Sequence, residues 1–149
     1  MPLPELTDSG ELPLGVHPAS LLEILERFAV GHPQRITVGE RLERIYRLAA
    51  ATGQLVRFIV YGSFVTDKPQ PNDVDVFVVM DNSFDGDTLQ GESALLFDHA
   101  AADVHFGASV FWVRRLSALG GEQPMVEYWQ AKRGGGQRGI VEIVEETND

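Results

Sequence analysis

Apolar residues recur along the chain at two different spacings, and these spacings divide its first half into helices and strands. Two segments, at 17–30 and 37–51, carry apolar residues three and four positions apart, which is the spacing of an amphipathic helix. Two later runs, Leu55–Tyr61 and Val74–Met80, are short and rich in β-branched residues, which predicts buried strands. The pattern therefore predicts two helices followed by two strands.

The second half of the chain continues the alternation of helix and strand. The predicted elements are, in order, an acidic loop at 81–87, a helix at 88–102, a strand at 104–113, a short helix at 123–132, a flexible glycine segment at 134–136 and a final strand at 140–144. Gly107 is expected to kink or bulge the third strand. This order of elements is typical of an α+β or α/β domain with a small mixed sheet, and we assign the chain to the α+β class.

The N-terminal residues 1–16 show neither spacing. They are rich in proline and glycine, which predicts an extended segment. The chain has 149 residues, of which 44% are hydrophobic, enough for one modest core. We therefore predict an extended N-terminal segment at 1–16 and a single domain at 17–149.

Composition and charge narrow the classes of function. The formal net charge of −10 repels nucleic acid at long range, so an extended nucleic-acid-binding surface is not expected. No apolar run approaches the roughly 20 residues that span a bilayer, and the N-terminus lacks the pattern of a signal peptide. The absence of cysteine excludes disulfides and thiolate metal sites. These features predict a cytoplasmic protein without membrane contact.

Two short motifs adjoin the first two predicted strands, one after the end of the first strand and one at the start of the second. Gly62 and Ser63 follow the first, where glycine allows close approach of a ligand and serine offers a backbone N–H and a hydroxyl to a phosphate. Asp73 and Asp75 are two residues apart on the second strand, so their side chains share one face. Paired carboxylates repel each other without a cation, and Mg²⁺ typically binds one or two carboxylates together with substrate phosphates. Taken separately, the motifs also fit a plain tight turn and two solvated charges.

Together, the motifs resemble the Gly-Ser…Asp-x-Asp signature of the DNA polymerase β-like nucleotidyltransferase superfamily. The longer stretch Gly-Ser-Phe-Val-Thr-Asp-Lys-Pro, followed by Pro-Asn-Asp-Val-Asp-Val, is similar to a set of small bacterial proteins of unassigned function within that superfamily. The segments 14–18 and 139–142 also look similar. The resemblance thus spans most of the chain and implies a minimal nucleotidyltransferase-like domain with helices packed on a mixed sheet.

The resemblance also implies a role for each motif. Gly62 and Ser63 would hold the β- and γ-phosphates of a nucleoside triphosphate. Asp73 and Asp75 would bind Mg²⁺, with Mn²⁺ as a possible substitute. The implied reaction is in-line transfer of a nucleotidyl group to an acceptor hydroxyl with release of pyrophosphate, in which two metal ions steady the attacking and leaving oxygens.

The superfamily pattern includes a third carboxylate on the next strand, and here the sequence departs from it. The expected position falls near Ser109, and a serine cannot bind a metal or accept a proton as a carboxylate does. Asp103, at the predicted start of the third strand, is the candidate replacement. With Asp73, Asp75 and Asp103 as catalytic residues, the protein would be a nucleotidyltransferase acting on a protein, an RNA or a small molecule. Without the third carboxylate, it would be a degenerate nucleotide-binding or partner-binding module, as in toxin–antitoxin pairs.

Basic and aromatic residues complete the set of candidates. Lys68 lies between the two motifs, within reach of a bound phosphate, although the position also suits an ordinary exposed lysine. The densest positive cluster consists of Lys132, Arg133 and Arg138. This cluster flanks the triple glycine and either closes over a triphosphate or forms an ordinary solvated surface. Trp112 and Trp129 have apolar neighbours, which favours core packing over base stacking.

Overall fold

A five-stranded mixed sheet is the centre of the computed structural model, which describes residues 3–118, 120–132 and 134–145. The strands are β1 Val16–Ala19, β2 Leu55–Tyr61, β3 Val74–Met80, β4 Ala108–Arg114 and β5 Ile140–Ile143. They lie side by side in the order β1-β5-β2-β3-β4. β3 runs antiparallel to β2 and parallel to β4, whereas β5 is antiparallel to β2 and parallel to β1. The predicted small mixed sheet is confirmed.

Helices accompany the sheet along the described part of the chain. They are α1 Leu21–Phe28, α2 Pro33–Ala51, α3 Glu92–Leu96, α4 His99–Phe106 and α5 Glu122–Tyr128. The α+β class predicted from the sequence is confirmed by this combination of helices and mixed sheet. None of the helices in the described residues is long and apolar enough to cross a membrane.

One side of the sheet, which we call the helix face, is covered by α1 to α4. Val74, Val76 and Val78 of β3 point to this side and are buried in one cluster with residues of these four helices. Leu42 and Ile45 of α2 are fully buried in the same cluster. The predicted inward direction of the three valines is therefore confirmed.

The opposite side, which we call the Asp75 face, is covered by α5. Asp75 and Phe77 point to this side because side chains alternate along a strand. Phe77 belongs to a second, smaller buried cluster together with Val126 of α5. Arg57 of β2 holds the start of α5 with a 3.0 Å hydrogen bond from its Nη1 to Gln123 Oε1.

The first predicted helix, at 17–30, is divided between a strand and a helix. Residues 17–19 belong to β1 because they pair with β5, and α1 begins only after Ser20. The hydroxyl of Ser20 accepts a 3.1 Å hydrogen bond from the backbone N–H of Glu23 and caps the helix. A short edge strand depends on its pairing partner, and the local sequence carries no periodic signal for it.

The predicted helix at 88–102 and strand at 104–113 are also wrong in their bounds. The helix breaks into α3 and α4, and α4 continues to Phe106. Gly107 does not bulge a strand, because it ends α4 in the left-handed conformation, with φ 65°. Its N–H donates a 3.2 Å hydrogen bond to the carbonyl of Asp103, which is a common way for a helix to end.

Three other predicted elements differ only at their ends. α2 begins at Pro33, earlier than predicted, because His32 Nδ1 accepts a 3.0 Å hydrogen bond from the N–H of Gln34. Proline suits this first turn, where its missing N–H is not needed. α5 ends at Tyr128 and β5 ends at Ile143, so both are shorter than predicted.

The N-terminal segment, described for residues 3–15, runs over the domain surface without a helix or a named strand. Leu3 and Leu12 are buried in the cluster of the helix face. Gly10 lies against Asp67, whose backbone N–H donates a 2.9 Å hydrogen bond to the carbonyl of Gly10. The segment is thus attached to the loop that follows β2.

Candidate functional site

The two sequence motifs meet where β2 ends and β3 begins. Tyr61 and Asp75 are register partners in this antiparallel pair, so Gly62 follows directly beside Asp75. Gly62 has φ 83° and ψ −164°, a conformation that is essentially restricted to glycine. A Cβ atom at this position would lie 2.1 Å from Oδ2 of Asp75. Glycine is therefore required at this position for two reasons: the backbone conformation, and the Asp75 carboxylate that occupies the space of a side chain.

The loop after Gly62 is held in a fixed shape. Residues Ser63–Val65 form a single 3₁₀ turn, in which the N–H of Val65 donates to the carbonyl of Gly62 at 3.3 Å. The N–H and the hydroxyl of Thr66 both donate to the carbonyl of Ser63, at 3.2 and 2.7 Å. Phe64 and Val65 are fully buried. This packing fixes the position of Ser63 relative to β2.

A buried arginine, which the sequence analysis did not single out, also holds this loop. Arg35 of α2 is only 7% exposed and donates to the carbonyls of Phe64 at 2.9 Å and of Lys68 at 3.0 Å. Burial lowers the pKa of Arg35, although the charge of Asp67 acts to raise it. Its spacing from Val38, on the buried stripe of α2, is the signal that could have identified it.

A second arginine missed by the sequence analysis lies where β3 and β4 begin. Nη1 of Arg41 donates a 3.3 Å hydrogen bond to the carbonyl of Asn72, the residue before Asp73. Its guanidinium also lies against Gly107, where an added Cβ would come within 2.9 Å of Cζ. Arg41 thus carries a positive charge to the ends of the two strands at which Asp73 and Ser109 lie.

The third strand contributes a serine to the site. Ser109 is the register partner of Asp75 in the parallel pair of β3 and β4, so the two side chains lie on the same face. Tyr61, Asp75 and Ser109 form a row across three strands, which we call the site row. The register thus brings Ser109 beside Asp75, and the resemblance implies a third carboxylate near Ser109.

Asp103 does not lie at the start of the third strand, contrary to the prediction. It is an exposed residue of α4, because this helix continues to Phe106 before β4 begins. Among the residues that the structure describes, no three His, Asp or Glu side chains are grouped so that they could hold a metal ion. Asp103 therefore does not complete a three-carboxylate set with Asp73 and Asp75.

Aromatic rings form a layer next to the site row on the Asp75 face. The ring centroid of Trp129, at the end of α5, lies 4.8 Å from that of Tyr61 and 5.0 Å from that of Phe77. Phe111 stacks on Trp129 at 5.2 Å and on His99 at 4.4 Å. The predicted packing of Trp129 among apolar neighbours is confirmed, and these neighbours belong to the same sheet face as Asp75.

The predicted basic residues differ in exposure and in ion pairing. Lys68 is exposed and stays a prediction as a phosphate ligand. Nζ of Lys132 and Nη1 of Arg138 lie 3.1 and 3.5 Å from Oε2 of Glu11. Arg133, the other member of the predicted cluster, lies outside the described residues. The two described members are thus paired with the N-terminal segment.

Comparison with known proteins gives a family but no activity. A model described as a family of unknown function (DUF6932) matches residues 4–144, which include all five strands and every described residue of the site. No curated protein and no solved structure matches the chain. The chemistry of the site therefore has to be inferred from its own residues.

Proposed function

The chain belongs to this family of unknown function, DUF6932, and we propose from its geometry that it binds a Mg²⁺–nucleoside triphosphate without transferring the nucleotidyl group. The contact between Gly62 and the carboxylate of Asp75 carries the proposal. It joins the phosphate-binding and metal-binding halves of the motif that resembles the nucleotidyltransferase signature. Ser63 extends the phosphate-binding half and Asp73 the metal-binding half.

The donor set fits a metal that is bound jointly with a phosphate. Mg²⁺ keeps several waters and usually takes one or two carboxylates together with phosphate oxygens, which matches Asp73 and Asp75. Mn²⁺ accepts the same oxygen ligands. The absence of a side chain at Gly62 allows the Asp75 carboxylate to lie directly against the backbone of the phosphate-binding motif. Asp73 and Asp75 would hold the metal, which would neutralise charge on the carboxylates and the phosphates, and Gly62 and Ser63 would orient the phosphate chain.

The serine in the site row favours binding over transfer. In-line transfer assisted by two metal ions needs enough negative charge to hold both ions and a base to accept the proton of the attacking hydroxyl. Ser109 supplies neither, because its hydroxyl is uncharged at neutral pH. Asp103 is an exposed residue of the helix α4 and belongs to no group of three carboxylates within the described residues, so it does not supply them either. We therefore prefer a nucleotide-binding module to a nucleotidyltransferase.

A binding screen tests the proposal directly. Thermal unfolding of the wild-type protein is measured with Mg²⁺ or Mn²⁺ alone and with each of the four ribonucleoside triphosphates. A binding nucleotide at about 100 times its Kd should raise the Tm by roughly 5–10 °C. Asp75→Asn, which keeps the side-chain size and removes the charge, should abolish this rise, and Asp73→Ala should do the same.

Asp103→Asn is the matched control for these variants. It removes an exposed carboxylate from α4 and should leave nucleotide binding unchanged. The proposal is wrong if the wild type binds none of the nucleotides with either metal, or if Asp75→Asn binds as the wild type does. A transfer assay with labelled nucleotide separates the two functions, since label that becomes covalently attached to an acceptor would restore the transferase hypothesis.

A further inference from the structure

The two tryptophans of the chain differ in how the fold treats their indole N–H groups. Nε1 of Trp112 donates a 2.9 Å hydrogen bond to the carbonyl of Phe97. Nε1 of Trp129 is buried and meets no acceptor within residues 3–118, 120–132 and 134–145. Buried donors without a partner are rare in folded proteins because leaving one unpaired is destabilising. The orphaned N–H of Trp129 therefore needs an explanation.

The position of Trp129 relative to the site row suggests one. Its ring lies on Tyr61, a member of the row, and on Phe77, which comes two residues after Asp75 on the same face. It also lies on Phe111, two residues after Ser109. Two residues of a strand span about 7 Å, so the indole lies within one nucleotide length of the Asp75 carboxylate.

The aromatic layer also fixes the orientation of the indole. The planes of Phe77 and Phe111 are inclined by only 28° and 29° to that of Trp129, and the distances are those of stacked rings. An N–H group on a ring held in this way loses little further freedom when it forms a hydrogen bond. The indole is thus held in a fixed orientation beside the site row, with an N–H that has no acceptor among the described residues.

We propose that the indole N–H of Trp129 donates a hydrogen bond to the ribose or the base of the bound nucleotide. This inference rests on the proposed function. Gly62 and Ser63 lie at one end of the site and take the phosphates, whereas Trp129 lies along β3 and β4 beyond Asp75. A nucleotide extending from the phosphate-binding end along this face brings its nucleoside half to the indole.

Trp129→Phe tests the inference because phenylalanine can keep the ring stacking and lacks the N–H. Its affinity for the Mg²⁺–nucleotide should be about three- to tenfold weaker than that of the wild type. Its affinity for Mg²⁺–tripolyphosphate, which has no nucleoside, should be unchanged. Its Tm without ligand should equal or exceed that of the wild type, because the variant no longer buries an unpaired donor. Isothermal titration and thermal unfolding measure these quantities.

Trp112→Phe is the matched control. It removes an indole N–H that already has an acceptor, so the Tm should fall while the nucleotide affinity stays unchanged. The chain contains two tryptophans, so this variant keeps Trp129 as its single indole fluorophore. Nucleotide binding should then change the fluorescence of Trp129 directly.

The outcomes separate this inference from the proposed function. A wild type that binds neither nucleotide nor tripolyphosphate with Mg²⁺ would overturn both. If the wild type binds nucleotide and Trp129→Phe binds it equally well, the inference is wrong and the proposed function stands. An equal loss of affinity for nucleotide and tripolyphosphate would also overturn the inference, because the effect would not depend on the nucleoside.

Discussion

The two faces of the sheet differ in what covers them. The helix face contains the larger buried cluster, whereas the candidate site lies on the Asp75 face. On the helix face, α1 to α4 bury a continuous apolar cluster around β3. On the Asp75 face, α5 and Trp129 cover the part of the sheet around Phe77. The site row lies next to this covered part. A face fully covered by helices has no room for a ligand, whereas a partly covered face can combine a rigid base with an accessible site. The site residues accordingly follow one face of the sheet.

The largest expected effect tests the helix face as the source of stability. Leu42→Ala removes a fully buried side chain on that face and should lower the free energy of unfolding by about 2–5 kcal/mol. Val126→Ala, in the smaller cluster under α5, should lower it by about 1–3 kcal/mol. Urea denaturation measures both.

The loss of nucleotide affinity should be larger for Val126→Ala than for Leu42→Ala, the opposite of the order expected for stability. Leu42→Ala should keep the nucleotide affinity of the wild type at temperatures where it is folded, because its cavity lies on the other side of the sheet. Val126→Ala should weaken binding, since α5 leads directly into Trp129. If Leu42→Ala loses more affinity than Val126→Ala, the separation between the two faces is wrong.

A smaller loss of stability, with a large loss of binding, is expected at Gly62. Gly62→Ala introduces a Cβ 2.1 Å from Oδ2 of Asp75 and strains the backbone, so the free energy of unfolding should fall by about 1–3 kcal/mol. The displaced carboxylate should weaken Mg²⁺–nucleotide binding at least about tenfold. This loss of affinity exceeds that expected for one neutral hydrogen bond, because the group is charged. Titration calorimetry and urea denaturation measure the two effects.

Gly53→Ala separates backbone strain from the contact with Asp75. Gly53 also has a positive φ, 73°, but an added Cβ would meet nothing within 4 Å. This variant should be destabilised by about 1 kcal/mol and should bind nucleotide as the wild type does. If Gly62→Ala and Gly53→Ala bind nucleotide with equal affinity, the contact between Gly62 and Asp75 does not contribute to binding and the proposed function loses its main support.

How far the sequence predicted the fold depended on where each strand lies in the sheet. The bounds of β2 and β3 agree with the predicted Leu55–Tyr61 and Val74–Met80, because these central strands are short runs in which apolar and β-branched residues predominate. β1 and β4 lie at the edges and were missed or misplaced. β1 depends on pairing with the distant β5, and β4 starts only where Gly107 ends α4.

The same distinction applies to the candidate site. Gly62 follows β2 and Asp75 is the second residue of β3, and because both strands were well predicted, the two motifs were expected on neighbouring strands, where the structure has them. The placement of Asp103 was wrong because it depended on the end of a helix. The position of Trp129 on the Asp75 face was not predicted, because it requires α5 to fold back across strands that are distant in the sequence.

A modest loss of stability, with a gain of metal binding, is expected when the site row receives its missing carboxylate. Ser109→Asp places a second negative charge opposite Asp75, which should cost up to about 1 kcal/mol without metal. Mg²⁺ or Mn²⁺ should then raise the Tm more than in the wild type, and in cell extract the labelled nucleotidyl group should become attached to an acceptor hydroxyl with release of pyrophosphate. Ser109→Asn, similar in size and uncharged, is the control. A metal response equal to that of Ser109→Asn would mean that the site lacks more than one carboxylate.

The smallest expected effect concerns Glu11, which joins the N-terminal segment to the glycine-rich loop between α5 and β5. Burial acts to raise the pKa of Glu11, but the hydrogen bond from Lys132 and the charges of Lys132 and Arg138 lower it overall from its ordinary value of 4.5. As the pH falls, the unfolded chain therefore takes up this proton before the folded protein does. The stabilisation is fully present above pH 4.5 and is lost as the pH falls through the lowered pKa.

Glu11→Gln should therefore lower the free energy of unfolding by about 0.5–1 kcal/mol at pH 7, and the difference from the wild type should narrow as the pH falls below 4.5. Denaturation at a series of pH values measures the difference. Glu5→Gln, which removes an exposed carboxylate from the same segment, is the matched control. A difference for Glu11→Gln that stays constant down to pH 3 would contradict the electrostatic account. The loop beside α5 would then be held by its backbone hydrogen bonds, such as the 2.9 Å bond from Lys132 N to Gly136 O, rather than by charge.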